Sequence, residues 1–235
     1  MAPHRDAFPR RIGWGLSLLY EDRDIIVVDK PAGLLSIAAG SERDRTAYWA
    51  LAEYLRKKGE KRRPAVVHRL DRETSGLLLF AKSERIKRTL MDHWTDLVTG
   101  RRYIALTEGD LRGQAGTLPA AGTGGWSLID APLGTDRGGH VRVSTGGTPA
   151  RTWWRLLGYS GGYSRLELEL ETGRRNQIRA HLAWLGCPVA GDSRYGASID
   201  PQGRLALHAE TLVFRHPAGG RSGGQVLEFR SPAPF

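Results

Sequence analysis

The stretch Arg165-Leu166-Glu167-Leu168-Glu169-Leu170-Glu171 constrains the fold of this chain more than any other. Leucine and charge alternate without a break, and successive side chains of a strand point to opposite faces, so the pattern predicts a strand with one buried face and one wet face. A slip of one residue would exchange the two faces, so the pattern also specifies the register.

Other strands are expected at the β-branched run Ile25 to Val28, at Val66 to His68, Leu77 to Ala81, Tyr103 to Thr107, Thr152 to Leu157, Leu212 to Phe214 and Val226 to Phe229. Lys30-Pro31-Ala32-Gly33 reads as a turn, because proline presets one dihedral and glycine permits a positive one. Helical spacing places Ala47, Leu51, Tyr54 and Leu55 on one face of a helix over Thr46 to Lys57, with Gly59 just beyond as a stop. Ser83 is expected to cap a second helix whose buried stripe is Ile86, Leu90, Met91, Trp94 and Leu97, closed by Gly100. A third runs from Gln177 to Leu185 and stops at Gly186-Cys187-Pro188, with the polar loop Thr172 to Asn176 at its N-terminus, where phosphate is attracted. The chain is therefore α+β, with at least seven strands, about three helices and no internal repeat. Residues 1–15 are expected to be a flexible lead-in and residues 16–235 one folded domain. Six glycines within 109–125 predict a long connection or loose hairpin.

A formal charge of +10 and a pI near 10.2 point to a polyanionic partner. The basic run Arg56, Lys57, Lys58, Lys61, Arg62 and Arg63, and the pairs Arg101-Arg102 and Arg174-Arg175, are scattered; they do not form one face of an amphipathic helix, which argues against a membrane surface. Cys187 is the only cysteine, which excludes an internal disulfide and a zinc knuckle and fits a reducing cytoplasm. Neither a signal peptide nor a run of roughly 20 apolar residues is present.

The chemistry concentrates at Val67-His68-Arg69-Leu70-Asp71-Arg72-Glu73-Thr74-Ser75-Gly76-Leu77, where charged side chains crowd a loop between two apolar runs. On the residues alone, Asp71 and Arg72 could equally be a surface pair beside an ordinary Thr-Ser-Gly turn.

His68-Arg69-Leu70-Asp71 followed by Thr74-Ser75-Gly76 resembles the signature of the RluA family of pseudouridine synthases. The likeness continues through Leu19 to Asp22, Val27 to Gly33, Thr172 to Leu182, Gly191-Asp192 with Tyr195-Gly196, Leu207-His208-Ala209 and Phe214 to Pro217. It implies a pseudouridine synthase catalytic fold with a mixed, largely antiparallel central sheet flanked by helices and loops, and isomerisation of uridine in ribosomal or transfer RNA after the nucleotide is flipped from its stack. Carried onto this chain, Asp71 is the catalytic carboxylate, Arg179 the arginine that pairs with it, and Tyr103 the aromatic that stacks on the base. Arg69 is the residue that fills the vacated stack, and Lys30, His68, Arg174, Arg175 and Asn176 are the further RNA-binding residues. Asn176 stands where the family often has histidine, which removes a titratable group and keeps a hydrogen-bonding one. About 15 residues before the domain cannot encode the extra RNA-binding domain of many relatives. No cofactor, no metal and no small-molecule partner is expected, and a monomer is assumed. A noncatalytic RNA-binding module is the alternative; a Ser75 hydrolase fails for want of a nucleophile elbow.

Overall fold

The computed structural model describes residues 9–113 and 125–235, so the start of the expected lead-in and most of the glycine-rich stretch at 109–125 lie outside the described residues. In chain order the strands are β1 (Arg10–Arg11), β2 (Ser17–Glu21), β3 (Ile25–Lys30), β4 (Ala65–Val66), β5 (Ser75–Ala81), β6 (Val98–Glu108) and β7 (Ser127–Asp130). There follow β8 (Leu133–Thr135), β9 (Val141–Val143), β10 (Arg151–Ser160), β11 (Tyr163–Leu170), β12 (Leu207–Arg215) and β13 (Val226–Arg230). The helices are α1 (Ala47–Lys57), α2 (Glu84–Asp92), α3 (Trp94–Leu97) and α4 (Gln177–Trp184). Strand pairing is mostly antiparallel, and the class is α+β as expected. The chain divides into two units, one reaching Arg101 and resuming over Ala209–Pro232, the other formed by Arg102–His208 with Ala233–Phe235.

In the first unit the strand order is β1-β2-β3-β5-β12, with β4 on β5 and β13 on β12. β3 and β5 do not alternate in polarity because both of their faces are covered. Ile25, Val27, Leu77, Leu79 and Ala81 meet Ile86 and Leu90 of α2 and Leu212 and Phe214 of β12 on one side. Ile26, Val28, Leu78 and Phe80 point the other way and are also fully buried. Each such side chain contributes about 1.5–3 kcal/mol of burial. α1 starts at Thr46, whose hydroxyl accepts the Trp49 amide at 3.0 Å. Its far end is held by Glu21, which accepts from the Tyr54 hydroxyl (2.8 Å), Lys58 (2.9 Å) and the buried Lys82 (2.7 Å).

Three expectations change here. Order begins before Leu16: β1 lies antiparallel to β2, pairing Arg10 with Leu18 and Arg11 with Ser17, after a turn at Gly13–Gly15 folds the chain back. Backbone pairing of this kind needs no apolar periodicity, so the composition does not signal it. The single helix expected after Ser83 is two, broken at His93, and Met91 is 53% exposed. Gly100 lies within β6, where a methyl would sit 3.2 Å from Val213, so β6 starts at Val98 and not at Tyr103.

In the second unit the order is β6-β11-β10-β7, with β8 and β9 paired apart. Leu166 and Leu168 are fully buried, opposite Ala105 and Tyr103 of β6. The charged face of β11 is ion-paired as well as wet: Glu167, 8% exposed, is held by Arg155 of β10 at 2.6 Å. Leu133, Val141, Ala150 and Ala180 make a small core that seats α4.

Candidate active site

The loop between β4 and β5 is fastened at every second residue. The Leu79 amide donates to His68 Nε2 at 3.0 Å, which leaves the ring proton on Nδ1, and the ring lies on Trp94 with centroids 5.1 Å apart. Burial, with the Arg101 charge adding to it, pushes His68 down to about 3, so the imidazole is neutral. Leu70 is clamped by Ser36, whose hydroxyl donates to its carbonyl (2.7 Å) and accepts its amide (3.0 Å). The carbonyl of Arg72 accepts from Lys30 Nζ (3.1 Å) and the Gly33 amide (2.9 Å), and its side chain pairs with Glu42 at 2.6 Å. Between and beside these anchors Arg69 and Glu73 are exposed and Asp71 is half-buried. The Asp71 carboxylate is thus presented by a loop that has little freedom to move.

Beyond the loop the chain enters β5 through Gly76, at φ 111°, where a Cβ would stand 2.3 Å from the Ala209 carbonyl oxygen. Glycine is required there on both counts. This approach sets the Thr74-Ser75-Gly76 motif directly against Ala209.

In the second unit α4 carries Arg179, 5% exposed, which holds Asp192 in a two-pronged ion pair, Nε to Oδ2 at 2.7 Å and Nη2 to Oδ1 at 2.8 Å. The Tyr195 ring lies 5.0 Å from the guanidinium carbon, and Asn176 Oδ1 accepts from Nη1 at 3.4 Å. Asn176 is in the left-handed conformation (φ 51°), which asparagine tolerates better than most residues. Gln177 braces the turn before the helix: its Oε1 accepts from Thr172 Oγ1 and the Arg174 amide, and its Nε2 donates to the Arg151 carbonyl. Tyr103 sits in β6 opposite Leu168, 8% exposed.

The expected RNA contacts occupy different surroundings. Lys30 is fully buried and its ammonium donates to the carbonyls of Pro31, Leu34 and Arg72, so it ties β3 to the Asp71 loop. His68 is a brace of that loop, its Nε2 taken by Leu79. Asn176 is buried against Arg179 and positions that side chain. Arg174 and Arg175 are exposed, each with one donor on a backbone carbonyl, of Pro149 and Gly139 respectively. Ser36, Glu42, Gln177, Asp192 and Tyr195 are not among the site residues that the sequence singles out. For Asp192 and Tyr195 the motif likeness is the available signal, whereas a serine 34 residues from its partner gives none.

Among the described residues no group of three or more His, Cys, Asp or Glu side chains is placed to hold a metal, and no helix is long and apolar enough to cross a membrane.

Comparison with known proteins agrees with this architecture. The family described as RNA pseudouridylate synthase matches residues 24–184. An uncharacterized RNA pseudouridine synthase of Bacillus subtilis is 34% identical over 93% of this chain and 69% of its own length. One of Chloroflexus aurantiacus is 41% identical over 88% of this chain and 62% of its own. Ribosomal large subunit pseudouridine synthase D of Vibrio cholerae is 34% identical over 93% and 68%. The chain therefore spans roughly two thirds of the length of these relatives. The human protein RNA Pseudouridylate Synthase Domain Containing 1 shares the fold, with a TM-score of 0.70 over 94% of this chain and 84% of that one at 24% identity. The class so defined is an isomerase acting on RNA. Within that class, the chain belongs to the RNA pseudouridylate synthase family.

Proposed function

We propose that this chain isomerises uridine to pseudouridine in ribosomal RNA, with Asp71 as the carboxylate that meets the target nucleotide. The reaction breaks the bond from ribose to the base nitrogen, turns the uracil and joins ribose to carbon 5, whose hydrogen leaves as a proton while the freed nitrogen takes one up. It exchanges one bond within a nucleotide and transfers nothing from outside, so the proposal includes no cofactor. The observation that carries the reading is the anchoring of His68, Leu70 and Arg72, which leaves Asp71 at the half-buried surface of a braced loop. A positioned acid or base contributes about 10²–10⁴ to such a step.

Arg69, exposed two residues earlier, is proposed to occupy the space of the flipped nucleotide, where a guanidinium stacks on bases better than an ammonium does. Tyr103 is proposed to lie against the target base, and Arg179 to be required for the same reaction. Arg174 and Arg175, exposed before α4, are proposed phosphate contacts. The names of the Vibrio cholerae and Nitrosomonas europaea relatives as ribosomal large subunit synthases support ribosomal over transfer RNA. A monomer working in the cytoplasm completes the proposal.

The substrate is tested by incubating the protein with ribosomal and transfer RNA lacking pseudouridine, each tritiated at carbon 5 of uracil. Release from ribosomal RNA alone is expected. Release only from transfer RNA would overturn the substrate assignment, and RNA binding without release from either would move the reading to a noncatalytic RNA-binding module.

A further inference from the structure

Ahead of the Asp71 loop, the first unit exposes two tryptophans and four arginines that none of the proposed catalytic steps uses. Trp14 is 50% exposed and Trp49 40% exposed. The Gly13–Gly15 turn packs on α1, where a methyl on Gly13 would lie 3.6 Å from Ala50 Cβ, and each tryptophan is the chain neighbour of one of those two residues. Arg10, Arg11, Arg43 and Arg45 are all exposed and form no ion pair among the described residues, and Arg45 lies 5.7 Å from the Trp14 ring centre. Of the nearby acids, Glu42 is neutralised by Arg72, and Asp44, exposed between Arg43 and Arg45, leaves the patch net positive.

Trp14 adds a second, independent sign. Its backbone is left-handed (φ 62°, ψ 27°), a strained conformation for so large a side chain, and the strain is not repaid by burial. An exposed indole held in a costly conformation beside the Arg45 guanidinium is a feature of a binding surface, since a solvent face has no need of it.

The patch is continuous with the Asp71 loop. Ser36 clamps Leu70 from the segment that leads to it, Leu35 bridges to Thr46 at the start of α1, and Glu42 within that segment pairs with Arg72, the residue after Asp71. We infer that this surface holds a single-stranded segment of the substrate RNA flanking the target nucleotide, with bases stacked on Trp14 and Trp49 and phosphates on Arg10, Arg11, Arg43 and Arg45. The inference rests on the proposed RNA substrate and extends it from the reacting nucleotide to its neighbours.

The test uses the full chain and a short fluorescein-labelled oligouridylate, read by anisotropy. Trp14→Gly and Trp49→Ala are each expected to weaken binding at least about fivefold, the lower end of the range for one stacked base, while Trp49→Phe retains most of the affinity. Arg11→Gln and Arg45→Gln are expected to lower the slope of log affinity against log salt by about 0.7 for each phosphate that is no longer neutralised. Trp14→Gly keeps or raises the melting temperature, because glycine takes the left-handed conformation without strain. Affinities within about twofold of wild type would overturn the inference, as would a drop in affinity that tracks a drop in melting temperature. Tritium release by wild type reports the proposed reaction separately, so a failure of that reaction and a failure of this surface are distinguishable.

Discussion

Asp192 is 2% exposed and has the Arg179 guanidinium as a counter-charge, so removing that guanidinium leaves a buried carboxylate without it. Arg179→Met is expected to cost about 3–5 kcal/mol in urea unfolding, and pairing it with Asp192→Asn is expected to recover part of that loss. A double variant as unstable as the sum of the two singles would contradict the pairing. Lys30→Met strips a donor from three carbonyls and is expected to cost about 1–3 kcal/mol by the same measurement. Residues of this kind mark the limit of what sequence can show. Lys30 and Arg179 both sit in recognisable motifs, yet the residues to which they are tied depend on chain crossings that no local pattern records. The motif of Lys30 alone suggests a phosphate contact, whereas its burial makes it a structural tie.

Elements are legible wherever one face of a periodic pattern decides burial, as in α1 with its apolar stripe and in β11 with its leucines. Where backbone geometry decides, they are not: the break at His93 and the β1 pairing carry no apolar signature. The Asp71 loop itself is sensitive to pH. His68 has a folded value of about 3, below its ordinary value near 6.5, so between the two the unfolded chain takes up a proton that the folded chain refuses. The stability from the neutral ring is complete above about pH 6.5 and is lost as the pH falls towards 3. Unfolding measured from pH 7 down to 4 is expected to show a steeper acid loss for wild type than for His68→Gln, and parallel curves would count against the brace. At the entry to β5, Gly76→Ala forces a methyl into the Ala209 backbone at a φ that disfavours alanine, and a melting temperature lower by on the order of 10 °C is expected.

For the whole molecule, a formal charge of +10 sets the expected behaviour towards RNA. If about five phosphates are neutralised, affinity for a single strand should fall about a hundredfold between 50 and 200 mM salt, and titrations at several salt concentrations measure that slope. The chemistry requires a sharper test. RNA tritiated at carbon 5 of uracil is given to wild type and to Asp71→Asn, and released tritium is counted over time. Release by wild type, with a loss of at least about a thousandfold in the variant and RNA binding kept, is the expected result. Equal release by the two proteins would contradict the role of Asp71, and no release by either would contradict the reaction itself.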